Sequence, residues 1–413
     1  MRLYRFSSTV SRDLFSLPIA VKRISLVVFL YYISWGISDP FLPIYFDNLL
    51  GSYTSVGIVF ALLYFFSIFL SLPFGDLSDI VSKRSLMRIM LFLYLPLGPI
   101  LAGVRTMFHM VLFRAYHAFL ATGLWASAEA YVRSHSPRQQ SSESMGLFDS
   151  AIGLAVCVGA ILGGILVTWF GIPFLFYIMP LFIFSAFIVI HFLPDHEGIA
   201  GMGAGMKAFF KKKMFRFEIR DFFSIPGMAH ITLLSFLFNM ATIGTAVLLP
   251  LVYRAFGAAF WQIGVVYALF MLPSLFEAPL SVLADRMNRK ILLVIGAIAA
   301  ICIQFLMIFV DHTATLFALS VLLGVSFALI RPLVEGVVTQ KMPHERVGEL
   351  NGVYRSCILL ASAIGSFAIG PIADSFSVQT AFGVGASIMA IFFILSLSYR
   401  FSAKDLPNIL RDQ

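Results

Sequence analysis

Long apolar runs, each closed by a short polar or glycine- and proline-bearing stretch, recur along the whole chain. They approach the ~20 residues that a helix needs to cross a hydrocarbon layer and predict twelve spans. The first six are Ile24 to Phe46, Thr54 to Phe74, Leu86 to Val104, Met107 to Val132, Met145 to Thr168 and Ile172 to Leu193. After a polar stretch come Gly227 to Leu251, Gln262 to Leu283, Ile291 to Val310, Ala314 to Gln340, Gly348 to Gly370 and Val378 to Tyr399. The expected organisation is a six-helix bundle over 1–193, a basic linker over 194–225 and a second six-helix bundle over 226–413. Strands of about ten residues with alternating polarity, which would mark an outer-membrane barrel, do not occur. The predicted fold class is an all-α integral membrane protein.

Composition agrees: 60% of the 413 residues are apolar and 12% charged, with a mean hydropathy of +0.92, against about 25% charged residues in soluble domains. The charge that exists is sided. Of the 29 lysines and arginines, 24 fall at one end of the predicted spans, including the Lys211-Lys212-Lys213 run, whereas only Arg105 and Arg254 fall at the other. Arg114, Arg331 and Arg355 lie within spans. The positive-inside rule then puts both termini and the linker in the cytoplasm of a cell membrane, which requires an even number of spans. The linker reads as plain topogenic charge or as a contact for anionic lipid. No cleavable leader is read in Met1 to Lys22, and Cys157, Cys302 and Cys357 all fall inside spans, which suggests neither a disulfide framework nor a zinc site.

One offset, 206 residues, returns repeatedly. It maps Asp79 onto Asp285, Lys83 onto Arg289, Arg84 onto Lys290, Glu129 onto Glu335 and Gly159 onto Gly365. Six spans return the chain to its starting side, so the two copies point the same way, as parallel repeats about an axis along the membrane normal do. Such halves rock against each other around a site near the midplane.

At the basic end of span 2 stands Gly75-Asp-Leu77-Ser-Asp79-Ile-Val-Ser-Lys83-Arg84, and after span 8 Leu283-Ala284-Asp285-Arg286-Met-Asn-Arg289-Lys290. Both resemble the loop signature of the major facilitator superfamily, G-x-L-A-D-R-x-G-R-K, with Ile80 and Ser82 departing from it in the first copy and Ser281 and Asn288 in the second. The resemblance implies a twelve-helix carrier and a cytoplasmic gate at Gly75, Asp79, Lys83, Arg84, Asp285, Arg286, Arg289 and Lys290. In it an Asp beside paired cations latches onto the positive N-terminus of another helix. Glu335 and Arg331, one turn apart in span 10, are assigned to the same gate. The alternative is topogenic charge beside a tight turn.

Asp39-Pro40-Phe-Leu-Pro43 in span 1 is similar to the acid-before-proline pattern of the family's drug/proton antiporters, and Arg114-Ala-Tyr-His117-Ala118 in span 4 resembles the family's Arg-x-x-x-Gly stretch, with Ala118 in the glycine place. Both charges lie about 10 Å inside the boundary at 1.5 Å per residue, a depth where an uncompensated charge costs several kcal/mol. They are expected to form a static pair or, as the preferred reading, a proton site in which Asp39 loads and unloads as Arg114 approaches and withdraws. Glu129, with Arg133 as its only nearby cation on the helix, is the freer titrating group; Glu335 with Arg331 forms a self-satisfying i, i+4 pair. Tyr31, Tyr32, Trp35, Tyr64, His117, Asn239, Gln304 and Glu277 are candidates to line the cavity, Asn239 as substrate hydrogen-bonder. Ala155, Gly159 and Gly163 in span 5 repeat at four-residue spacing, which suits either an antiporter signature or close helix packing.

No phosphate-cradling loop, metal-ligand spacing or nucleophile motif appears, so neither ATP-driven transport nor an enzyme is expected. The expected function is alternating-access transport of a small organic solute, as proton antiport or alternatively proton symport of a polar metabolite, with a transport-dead sensor or scaffold as the distant alternative. No cofactor beyond the proton gradient, no nucleic-acid partner and a monomer are expected.

Overall fold

The computed structural model describes residues 17–137, 140–194, 219–276, 289–342 and 347–399. The first half contains α1 (Ile19–Gly36), α2 (Leu42–Leu50), α3 (Tyr53–Ile80), α4 (Lys83–Tyr94), α5 (Leu97–Gly103), α6 (Met107–His135), α7 (Ser141–Phe170) and α8 (Ile172–Val189). A short α9 (Ile219–Ser224) falls within the predicted linker. The second half contains α10 (Met228–Ala255), α11 (Phe260–Met271), α12 (Arg289–Met307), α13 (Thr313–Lys341), α14 (Val347–Ser375) and α15 (Phe382–Ser398). Among the described residues nine spans are long and apolar enough to cross a bilayer, and Phe260–Phe276 and Phe382–Ser398 are shorter apolar helices. With α6, whose Arg114, His117 and Glu129 dilute its hydropathy, they account for the twelve predicted crossings.

Two predicted spans are broken helices, and proline explains both. Pro40 and Pro43 carry no N–H, so the i−4 bonds to Gly36 and Asp39 cannot form. The chain runs instead through a 3-10 turn, Asp39–Phe41, between α1 and α2. Pro96 separates α4 from α5 in the same way.

The repeat is visible in packing. α1 packs on α7 as α10 packs on α14, and α3 on α6 as α11 on α13. The equivalent residues Lys83 and Arg289 open α4 and α12. The small residues of span 5 serve close packing: a Cβ on Gly159 would lie 2.7 Å from the carbonyl carbon of Gly36, and one on Gly163 2.1 Å from the oxygen of Ile37. The equivalent Gly365 lets α14 reach α10, where a Cβ would sit 2.2 Å from the Met240 oxygen.

The halves meet along two helix pairs, α3 with α14 and α7 with α11. Gly57 against the Ser366 carbonyl and Gly264 against the Ala160 carbonyl, where added Cβ atoms would lie at 2.7 and 2.3 Å, allow backbone contact near the basic-poor end. The polarity is inverted relative to a soluble protein: Phe69, Phe108, Trp169, Leu181 and Ile394 are exposed, while Ser34, Arg114, Gln304 and Ser366 are buried. Apolar surface of this extent marks contact with lipid.

Candidate functional site

A cavity of about 200 Å³ lies between the halves, walled mainly by α1, α3 and α6, with Arg355 and Leu359 of α14 closing it. Its α6 residues, Ala121 to Ala128, occupy the stretch from the helix midpoint toward the basic end. Tyr31, Tyr32, Tyr64 and Trp125 supply aromatic walls. Tyr31 is fixed by a 2.8 Å hydrogen bond between its hydroxyl and that of Tyr94, and Tyr32 meets Trp125 edge to face.

Of the predicted cavity residues among those described, Tyr31, Tyr32 and Tyr64 line this space. Trp35 and His117 are buried instead, their rings stacked at 4.1 Å. Asn239, expected to meet substrate, donates to the Glu335 carboxylate at 3.1 Å and to the Ser235 carbonyl at 3.0 Å. An amide this close to a carboxylate satisfies it before any ligand does. Glu277, Asp285 and Arg286 lie outside the described residues, as does the side chain of Asp79.

Asp39 sits at the break in span 1. Among the described residues no hydrogen-bond or ion-pair partner falls within reach of its carboxylate. Tyr31, Tyr64 and, from the second half, Tyr267 lie within electrostatic range of it. Arg114 is within that range also but is held elsewhere: its guanidinium lies 4.8 Å from the Phe60 ring centroid and 5.2 Å from that of Phe46, and Nη1 is 3.4 Å from His117 Nδ1. Its Nε and Nη2 are buried without a hydrogen-bond partner. Aromatic faces attract a cation but do not replace the lost hydrogen bonds, so Arg114 keeps unmet bonding capacity within electrostatic range of Asp39.

Glu129 is not free. Arg133 binds it at 2.5 Å on the same helix, and Arg355 of the other half reaches it at 3.5 Å. The sequence reading overlooked this second bond because it spans 226 residues. It also overlooked Asp149 of α7, which feels Glu129, Glu335, Arg331 and Arg133. A signal existed: Asp149 and Arg355 are equivalent at the offset of 206, so the repeat carries opposite charges at one position. Glu129 faces a cation across the halves, whereas its copy Glu335 has an acid, Asp149, on the opposing half.

Two of the gate residues reach helix ends. Arg84 Nη2 donates to the His191 carbonyl at 2.5 Å and Nε to that of Ile190 at 3.2 Å. Its copy Lys290 donates to the Leu397 carbonyl at 2.6 Å, and Leu397 is His191 plus 206. Both cations thus meet carbonyls where a helix ends, the negative pole of its dipole, inside their own half. An added Cβ on Gly75 would meet nothing within 4 Å.

At the basic-poor end a polar tie joins the halves. Asp374, at the end of α14, accepts from Ser52 Oγ at 2.8 Å, Tyr53 N at 2.9 Å and Thr54 N at 2.8 Å, capping α3. Nothing in the local sequence announces this bond, because cap and helix are 320 to 322 residues apart.

Two like-oriented six-helix halves, apolar outside and enclosing a cavity with charged and aromatic walls, define a multi-pass membrane carrier. The sequence profile of the Major Facilitator Superfamily matches residues 24–276 and again 231–410; the chain belongs to that superfamily and is a transporter, not an enzyme. It is similar to an uncharacterized MFS-type transporter of Methanocaldococcus jannaschii, 23% identical over 367 residues, 87% of this chain and 93% of the other. It is also similar to the multidrug efflux protein YfmO of Bacillus subtilis, 23% identical and covering 94% of each. The nucleoside transporter NupG shares its fold, with a TM-score of 0.69 at 16% identity over 92% of this chain and 99% of that one.

Proposed function

We propose that the chain exports small, partly apolar organic molecules across the cell membrane in exchange for protons, with both termini in the cytoplasm. The observation that carries the reading is Asp39: a carboxyl at a broken helix inside the membrane span, without a hydrogen-bond or ion-pair partner among the described residues, in electrostatic range of three tyrosines of the cavity wall. Retaining an acid at this depth costs several kcal/mol. Protonation removes that cost, and the cost returns when the proton leaves, so a proton at Asp39 biases which arrangement of the halves is favoured. Arg114, in the same half and with bonding capacity to spare, is the group that meets the carboxylate when the helices of that half shift. The efflux relative supports the outward direction, and the sided lysines and arginines support the orientation.

The test is solute flux in proteoliposomes under an imposed pH gradient. Flux out of the compartment facing the basic end, driven by protons moving the other way, is expected, and Asp39→Asn should leave binding intact while removing the dependence on the gradient. Solute and protons moving in the same direction would make the carrier a symporter; flux indifferent to both gradient and substitution would end the coupling proposal.

A further inference from the structure

The cavity wall carries a cation, an indole and hydroxyls but, among the described residues, no anionic acceptor. Its polar groups are the Arg355 guanidinium, the Trp125 indole, four hydroxyl side chains besides Tyr31, among them Tyr32 and Tyr64, and the paired Tyr31 hydroxyl; among the described residues no carboxylate, amide or imidazole side chain lines it. Several of these donors are unspent. Trp125 Nε1 is buried with no hydrogen-bond partner, and the hydroxyls of Tyr32 and Tyr64 make no hydrogen bond among the described residues. Ser67, by contrast, donates to its own helix at Leu63. The single formal charge on the wall is positive, and it is poised: Arg355 lies 5.0 Å from the Trp125 ring centroid and holds Glu129 at only 3.5 Å, while Glu129 keeps the closer Arg133 at 2.5 Å.

We infer that the cavity takes a flat aromatic carboxylate, its ring between Tyr32, Tyr64 and Trp125 and its anion on Arg355, where it displaces the Glu129 carboxylate. The inference rests on the transporter reading and names its ligand class. A buried donor without a partner, here Trp125 Nε1, costs free energy that a ligand acceptor recovers, and a guanidinium matches a carboxylate in two parallel bonds. An empty apolar cavity of ~150 Å³ holds a benzene, so the volume here suits one ring with its acid group. Displacement also gives binding a mechanical consequence. Glu129 retreats to Arg133 and the ion pair between the halves is lost, so the ligand loosens the basic end as it fills the site. Glu129 and Asp149, standing behind the wall rather than in it, do not offer a competing cation its first contact.

The test uses the full-length protein in detergent with four matched probes: benzoate, benzamide, benzylammonium and cyclohexanecarboxylate, with affinity read by calorimetry and thermal shift. Benzoate is expected to bind at least tenfold tighter than the amide or the ammonium and several-fold tighter than the non-aromatic acid. Glu129→Gln should tighten benzoate several-fold by removing its competitor, an effect that a merely structural role would not produce; Arg355→Gln should erase the preference for the anion, and Trp125→Leu the preference for the ring. Glu129→Gln keeps the test decisive should the arginine variant fail to fold. Benzylammonium binding as well as benzoate, benzoate unaffected by Glu129→Gln, or none of the probes binding would overturn the inference. In the last case, pH-driven flux of another solute in the same preparation would show that the ligand class had failed and the transporter reading had not.

Discussion

Replacing Asp374 by alanine removes three bonds by which the second half holds the first turn of α3, from Ser52 Oγ, Tyr53 N and Thr54 N. Asp374 is exposed, so water takes its place at the freed N–H groups and the loss is that of a helix cap rather than of a buried ion. Such a cap contributes about 0.5–2 kcal/mol, and a carboxylate facing a helix N-terminus roughly 0.3–1 kcal/mol more. The carboxylate reaches α3 only while the halves touch at the basic-poor end, so a loss of about 1–2 kcal/mol moves the ratio of closed to open arrangements by a factor of about 5–30. Spin labels at the exposed positions Asn48 and Phe376, in protein lacking Cys157, Cys302 and Cys357 and reconstituted in liposomes, read that ratio as a distance distribution. Asp374→Ala is expected to deplete the short-distance population and Asp374→Asn to do so less. An unchanged distribution, or an equal change on Asp311→Asn, an exposed acid at the same end, would mean that the Asp374 cap does not hold the closed arrangement.

Three further outcomes follow from the packing and the hydrogen bonds. Gly365→Ala, whose new methyl would meet the Met240 oxygen at 2.2 Å, is expected to cost about 1–3 kcal/mol by overpacking, whereas Gly75→Ala, with open space around it, should leave the melting temperature equal or higher. Arg84→Ala and Lys290→Ala each remove donors to helix-end carbonyls; each should cost about 0.5–1.5 kcal/mol, and the two should add because they serve different halves, which a thermal-melt series of the single and double variants measures. Asn239→Ala takes one donor from the partly buried Glu335 carboxylate and should destabilise by about 1–3 kcal/mol without weakening ligand binding, since Asn239 does not line the cavity; a selective loss of binding would return it to the substrate site.

The sequence alone determined how many times the chain crosses, where, and that it does so as two copies. Run length and charge sidedness are local quantities to which a bilayer responds directly, so Lys83 and Arg289 could be placed at equivalent helix starts without knowing any neighbour. The break at Asp39 was equally local, because Pro40 and Pro43 withhold donors wherever the helix lies. What the tertiary structure decided was the partner of each polar group. Depth in the membrane follows from counting residues, but the rotation of a helix and the identity of the helix beside it depend on packing between segments far apart in the chain. Glu129 therefore looked free until Arg355 arrived from the other half, Asn239 looked available until Glu335 took its amide, and Asp374 looked like an ordinary terminal acid until α3 was seen to begin against it. Charge costs too much in a bilayer to be left to chance, yet which opposite group or donor relieves it is settled only when the helices are brought side by side.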